Sequence, residues 1–171
     1  MLQQIEDKEV NEDAKTAIIL QLLPHFIPPK RVFVSGKNSY KASIGAAKDS
    51  MIKHANVNKN ILKTPVQPYI ITVGDYKTNI DTYVCIDETV YKINTTIEGI
   101  DICFKVFHAF QLKYPAASEH LWMLIQRGIY GFTTKWDLNI SFTAYILKKL
   151  LDGRTEILTK QIANESIENT N

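Results

Sequence analysis

Residues 69–112 read YIITVGDYKTNIDTYVCIDETVYKINTTIEGIDICFKVFHAFQL, and their pattern decides the fold. Tyr69-Ile70-Ile71-Thr72-Val73 is rich in β-branched and aromatic residues and ends at Gly74-Asp75, so it reads as a strand and its turn. Thr82 to Ile86 and Val90 to Ile93 are two further strands, and the polar Asp87-Glu88-Thr89 between them predicts a hairpin. Three strands make a small antiparallel sheet, which needs something packed on one face to be stable. Thr95-Thr96-Ile97-Glu98 starts that cover: a capping box with Thr95 as N-cap and Glu98 reaching back. The helix it opens runs to about Leu112, and at ~100° per residue Ile100, Cys103, Phe104, Phe107 and Phe110 share one stripe.

Beyond this stretch, Pro115 suits the first turn of another helix, which reaches Gly128 or Gly131. A last helix spans residues 141 to 151, carries Ala144, Ile146, Leu147, Leu150 and Leu151, and stops at Gly153. Toward the N-terminus, Asn11 caps a helix to about Leu23, with Glu12 and Asp13 in its first turn. This helix is apolar nearly all round, so it is buried or partnered, and Pro24, Pro28 and Pro29 forbid its continuation. Val32-Phe33-Val34 is a short strand closed by Gly36. Residues 39 to 54 are expected to be helical, with Tyr40, Ile44, Ala47 and Met51 on one side. Residues 56 to 67 carry no periodicity and read as a linker. The expected organisation is therefore a helical, basic part at 1–62, an α+β core at 63–153 and a polar tail at 154–171.

The fold class expected is α+β: a small antiparallel sheet covered by two or three helices, preceded by a helical N-terminal part. Apolar residues are 45% of the chain and charged residues 22%, an ordinary globular balance. The formal charge of +2 excludes no partner, but its distribution is uneven. Residues 1–13 hold Glu6, Asp7, Glu9, Glu12 and Asp13 against Lys8. Residues 30–63 hold Lys30, Arg31, Lys37, Lys41, Lys48, Lys53, Lys59 and Lys63 against Asp49. The polar, acidic start is unlike a secretory signal, and no apolar run approaches the ~20 residues that cross a bilayer. Cys85 and Cys103 sit in apolar patterns and cannot make a disulfide framework, so an intracellular, reducing setting is expected.

Cys103, His108 and His120 lie close in sequence but not on helices. His108 stands ~140° from Cys103, and the two cannot hold one ion from the same helix. On the next helix Leu121, Ile125 and Ile129 form the buried line, which places His120, Met123, Gln126 and Arg127 outward. No further ligands stand at zinc spacing, so no metal and no cofactor are expected. Val32 to Ser39 resembles the end of a phosphate-binding loop, but Arg31 stands where its first Gly is required and Asn38 where Ser or Thr is. Asp75, Asp81, Asp87 and Glu88 read as turn residues. The expected interaction surface joins Ile18 and Leu22 of the first helix to His120, Trp122, Met123, Arg127 and Trp136, with aromatic and Arg anchors. As an alternative, Lys30, Arg31, Lys37, Lys41, Lys48 and Lys53 contact phosphates while Tyr40 stacks on a base, which gives sequence-indifferent nucleic-acid binding.

PYIITVGD, TYVCIDETVYKI, IDICFKVFHAFQLKYP and EHLWMLIQRGIYG, within residues 68–137, resemble a segment of uncharacterised arthropod and fish proteins, some of them mobile-element-derived. The resemblance implies no activity, substrate or site. It implies a eukaryotic, nuclear setting and assembly with other macromolecules. The function expected is thus non-catalytic, a protein-interaction or self-association domain without membrane attachment.

Overall fold

The computed structural model describes residues 11–35, 37–55, 67–135, 137, 144–150, 152–153 and 155–156. They form two compact units divided between Leu121 and Trp122. In chain order the elements are α1 (Glu12–Phe26), β1 (Val32–Ser35), β2 (Asn38–Lys41), α2 (Ile44–Asp49), β3 (Ile52–Ala55), β4 (Tyr69–Asp75), β5 (Asn79–Ile86), β6 (Thr89–Ile93), α3 (Thr96–Ala109) and α4 (Glu119–Gly128). Helical residues follow at 144–150. The class is α+β, as the pattern of residues 69–112 requires.

The first unit is built on a sheet of order β3-β4-β5-β6. Its last three strands are antiparallel, and Ile86 faces Thr89 across a two-residue Asp87-Glu88 turn. β3 runs parallel to β4, so the sheet is mixed rather than antiparallel throughout. That strand lies inside residues 39–54, which were expected to be helical. Ser43 caps only the short α2, and Met51 and Ile52 leave it to become fully buried. Residues 56–68 are long enough for the crossover that a parallel pair needs. The boundary expected at residue 62 falls in residues 56–66, outside the described residues.

Register sorts the sheet into two faces. Ile52, Ile70 and Val84 share one face with a polar row of His54, Thr72 and Thr82. Ala55, Tyr69, Ile71 and Cys85 cluster on the other, with Val73 and Tyr83 against them. α3 packs on the first face with little clearance. A Cβ on Gly99 would lie 2.9 Å from Ile93 Cδ1 and 3.2 Å from Ile70 Cγ1, so a larger residue there would force these isoleucine side chains to shift. α1 lies over the same face through buried Ala14, Ala17, Ile18 and Gln21, its alanines leaving room for the approach.

Helix ends follow local chemistry. Asn11 Oδ1 accepts from Asp13 N at 2.9 Å, as expected of an N-cap. α1 then passes through Pro24 to Phe26, because a proline in the last turn removes a single backbone bond. Thr95 Oγ1 accepts from Glu98 N at 3.2 Å, while the Glu98 carboxylate reaches one residue further back, to Asn94 N at 3.0 Å. α3 stops at Ala109 in a Schellman motif: Leu112 N donates to Phe107 O at 2.8 Å and Gln111 N to His108 O at 3.3 Å. The early stop leaves Phe110 68% exposed, off the buried stripe in which it was expected. Gln111 holds the left-handed position at φ 52°, which glycine takes without strain. Gln111→Gly should therefore stabilise the protein by about 0.5–1 kcal/mol, read as a higher urea midpoint at unchanged slope. A lower midpoint would refute that account.

The second unit holds most of α4, the segment to 137 and the helical residues 144–150. Gly128 meets Leu147 there, with a would-be Cβ at 3.1 Å from Leu147 Cδ1. Helical residues also occur at 152–153 and 155–156, past the stop expected at Gly153. Asp137 organises the turn after α4. Its carboxylate accepts from Thr134 Oγ1 at 2.6 Å, from Gln126 Nε2 at 2.9 Å and from Arg127 Nη2 at 3.4 Å. Burial alone would raise its pKa, but these hydrogen bonds outweigh burial and hold it below the usual aspartate value.

Candidate functional site

The β1–β2 hairpin is an exposed apolar structure of the first unit. Pro28 and Pro29 keep the chain out of helix after α1, and Val32-Phe33-Val34 favours extended backbone. The strands pair Val32 with Lys41, Phe33 with Tyr40 and Val34 with Ser39, so directly opposed residues share a face. One face carries Phe33 and Tyr40, stacked with ring centroids 5.3 Å apart, and Arg31 lies 5.0 Å over the Phe33 ring. The other carries Val32 and Val34, which are 56% and 75% exposed. Tyr40 is 56% exposed as well. Among the described residues the hairpin is a sheet of its own, with no third strand. Two strands alone are marginal in water, and among the described residues no further strand pairs with either outer edge.

The six cations of the alternative reading do not form a single patch. Arg31 is paired with Glu119 at 2.7 Å, which ties the hairpin's base to the start of α4. Lys48 pairs with Asp49 at 3.0 Å, and Lys53 lies 4.0 Å over the Tyr69 ring on the clustered sheet face. Lys30, Lys37 and Lys41 are exposed on or beside the hairpin.

The residues expected to form an interaction surface are mostly interior. Ile18 is fully buried and Leu22 half-buried, so α1 packs within its own unit. His120, Trp122 and Met123, expected outward or at an element end, are buried too. The reason is polar as well as apolar. His120 Nε2 donates to Ile27 O at 2.8 Å, and Gln126 is drawn in by Asp137, so polar residues on α4 mark covered rather than open sides. Arg127 is largely shielded beside Asp137. Ile129, expected in the buried line, is 73% exposed because α4 ends one residue earlier. Trp136 lies outside the described residues. Cys103 is fully buried as its stripe position requires, and burial raises its thiol pKa. His108 is exposed, against Tyr114 OH at 2.9 Å.

Sequence reasoning missed a polar seam under α1. Asp13 Oδ1 accepts from Thr96 N at 2.6 Å and its Oδ2 from Thr82 Oγ1 at 3.2 Å. Further along, Gln21 donates to Tyr76 OH, which lies 3.1 Å from Thr72 Oγ1, itself 3.2 Å from His54 Nδ1. The His54 and Tyr76 rings sit 4.5 Å apart. The seam joins α1 to β3, β4, β5 and the start of α3, and every hydroxyl in it already has a partner. It holds elements together. The available signal was Thr72 and Thr82 inside otherwise apolar strands, beneath a helix carrying Asp13 and Gln21.

No family model, curated protein or solved structure matches the chain. Among the described residues no group of His, Cys, Asp and Glu could hold a metal ion, and no helix is long and apolar enough to cross a membrane.

The imidazoles of buried His120 and half-buried His54 set a pH dependence. Burial lowers the pKa of His120 against the opposing bond to Ile27. Burial and Lys48 lower that of His54, against Asp75 and the bond to Thr72. A lowered folded-state pKa favours the neutral ring, so this stability is full above the unfolded value of 6.5 and is lost as pH falls through it. Asp137, depressed from 3.8, adds a second loss at more acid pH. Urea midpoints should stay flat from about pH 8 to 7 and then decline below about 6.5. His120→Gln should flatten part of that first decline, and an unchanged slope would count against the assignment.

Proposed function

We propose that the chain is a non-catalytic protein-interaction domain whose binding element is the β1–β2 hairpin. The observation that carries this reading is a two-stranded sheet with Val32, Val34 and Tyr40 each more than half exposed. A partner laid on it would bury those side chains and pair an open edge, the mode by which extended segments join a sheet. The resemblance of residues 68–137 to mobile-element-derived proteins, with the assembly and nuclear setting it implies, is consistent with this reading and is carried as part of the proposal.

Nucleic-acid binding has less to rest on. Arg31, the single residue of the stretch able to grip a phosphate with a fork, already holds Glu119. Exposed valines add nothing to phosphate contact. The interaction reading is tested with a photo-crosslinker placed at position 34 or, as a control of similar exposure, at Ile97. Position 34 should give a discrete adduct that saturates and that Val32→Ser removes. Equal, diffuse adducts from both positions would sink the reading.

A further inference from the structure

We infer, building on the interaction reading above, that the hairpin's partner is an acidic, extended polypeptide segment with aliphatic residues at alternate positions, pairing along β1. Charge complementarity selects it. Between Asp13 and Asp49 the sequence holds no acidic residue, while Lys15, Lys30, Arg31, Lys37, Lys41 and Lys48 all fall there. Lys15 is matched by Glu12, Arg31 by Glu119 and Lys48 by Asp49. Lys37 and Lys41 have no ion pair among the described residues. Lys37 stands at the turn end of β1, and Lys41 is directly across from Val32, so positive charge frames the two valines.

An incoming strand has a period of two. Its aliphatic side chains come beside Val32 and Val34 on one face, and its carboxylates come within reach of Lys37 and Lys41 at the ends. A second copy of the hairpin is disfavoured, because it would bring the same lysines against one another. Nucleic acid also carries negative charge, but it has no aliphatic groups for the valines and no backbone donors for the β1 edge. Phe33 and Tyr40 moreover cover one face of each other's ring, and Arg31 lies over Phe33.

The test uses the full chain and four defined probes in a titration followed by fluorescence anisotropy. They are an acidic peptide EDVTVTVDE, its basic counterpart KKVTVTVKK, a proline-interrupted EDVPVPVDE and oligo-dT. The acidic peptide should bind best, weaken by roughly tenfold between low and moderate salt, and lose at least about tenfold on proline interruption. The double change Lys37→Glu with Lys41→Glu should reverse the preference toward the basic peptide, a result that unfolding cannot produce. Equal binding of acidic and basic peptides, stronger binding of oligo-dT, or a preference unmoved by charge reversal each overturns the inference. If no peptide binds while position 34 still crosslinks a saturable partner, the inference falls and the interaction reading stands. If neither occurs, both fall.

Discussion

Trp122→Ala should destabilise the protein by about 3–5 kcal/mol, enough to leave a domain of ordinary stability largely unfolded near body temperature. Among the described residues Trp122 is the largest fully buried side chain. Truncation removes its transfer free energy and leaves a void that close-packed neighbours fill only in part. Trp122→Phe keeps most of the volume and should cost clearly less. The contrast with the hairpin matters for function. Val34, 75% exposed, can become Ser within about 0.5 kcal/mol. Loss of binding in a Trp122 variant would therefore report unfolding, whereas loss in a Val34 variant would report the surface. Equal urea midpoints for Trp122→Ala and wild type would show that the buried placement is wrong.

Much of the fold was legible where short-range chemistry and long-range packing agree. The β4-β5-β6 strands alternate or are rich in β-formers, their turn is polar, and the cap at Thr95 uses a fixed spacing. Residues 39–54 were not legible, because Tyr40, Ile44, Ala47 and Met51 satisfy a helical period while the chain instead makes β2, α2 and β3. Gly36-Lys37 between two β-prone runs was a hairpin signal, and Gly45 a warning against one long helix. A parallel strand such as β3 leaves little local trace, since its partner lies beyond residues 56–68.

The proposed binding surface was harder still. Apolarity all round α1 and aromatics around Trp122 pointed to interaction, yet Ile18, Leu20 and Trp122 are interior, because a helix covered on several sides looks the same in sequence as one awaiting a partner. On α4 His120 and Gln126 misled in the opposite sense: their polar atoms have backbone or carboxylate partners, so burial costs them little. The hairpin's exposure could not be read from Val32-Phe33-Val34, which resembles any core strand. What exposes it is topology, the lack of a third strand among the described residues.

Asp13→Ala should cost about 3 kcal/mol, far more than any neighbouring surface charge on α1. The Asp13 carboxylate serves two helices at once. It lies in the first turn of α1, and it caps α3 from outside by accepting the Thr96 backbone N–H. Both helix starts favour negative charge, by about 0.3–1 kcal/mol each. Its removal strands the N–H of Thr96, a fully buried residue, and takes from buried Thr82 an acceptor that its 3.4 Å contact with Thr96 replaces only in part. A charged hydrogen bond of this kind contributes about 1.5–3 kcal/mol. Asp13→Asn keeps an acceptor but loses the charge, and should cost roughly half as much. Glu12→Ala is the control, because its bond to Lys15 is exposed and should contribute less than about 0.5 kcal/mol. Hydrogen exchange gives the sharper readout: the first turn of α3, distant in sequence from the change, should lose protection in Asp13→Ala and keep it in Glu12→Ala. If both variants leave α3 equally protected, the carboxylate does not join the two helices, and α1 is held by its alanines, Ile18 and Gln21 instead.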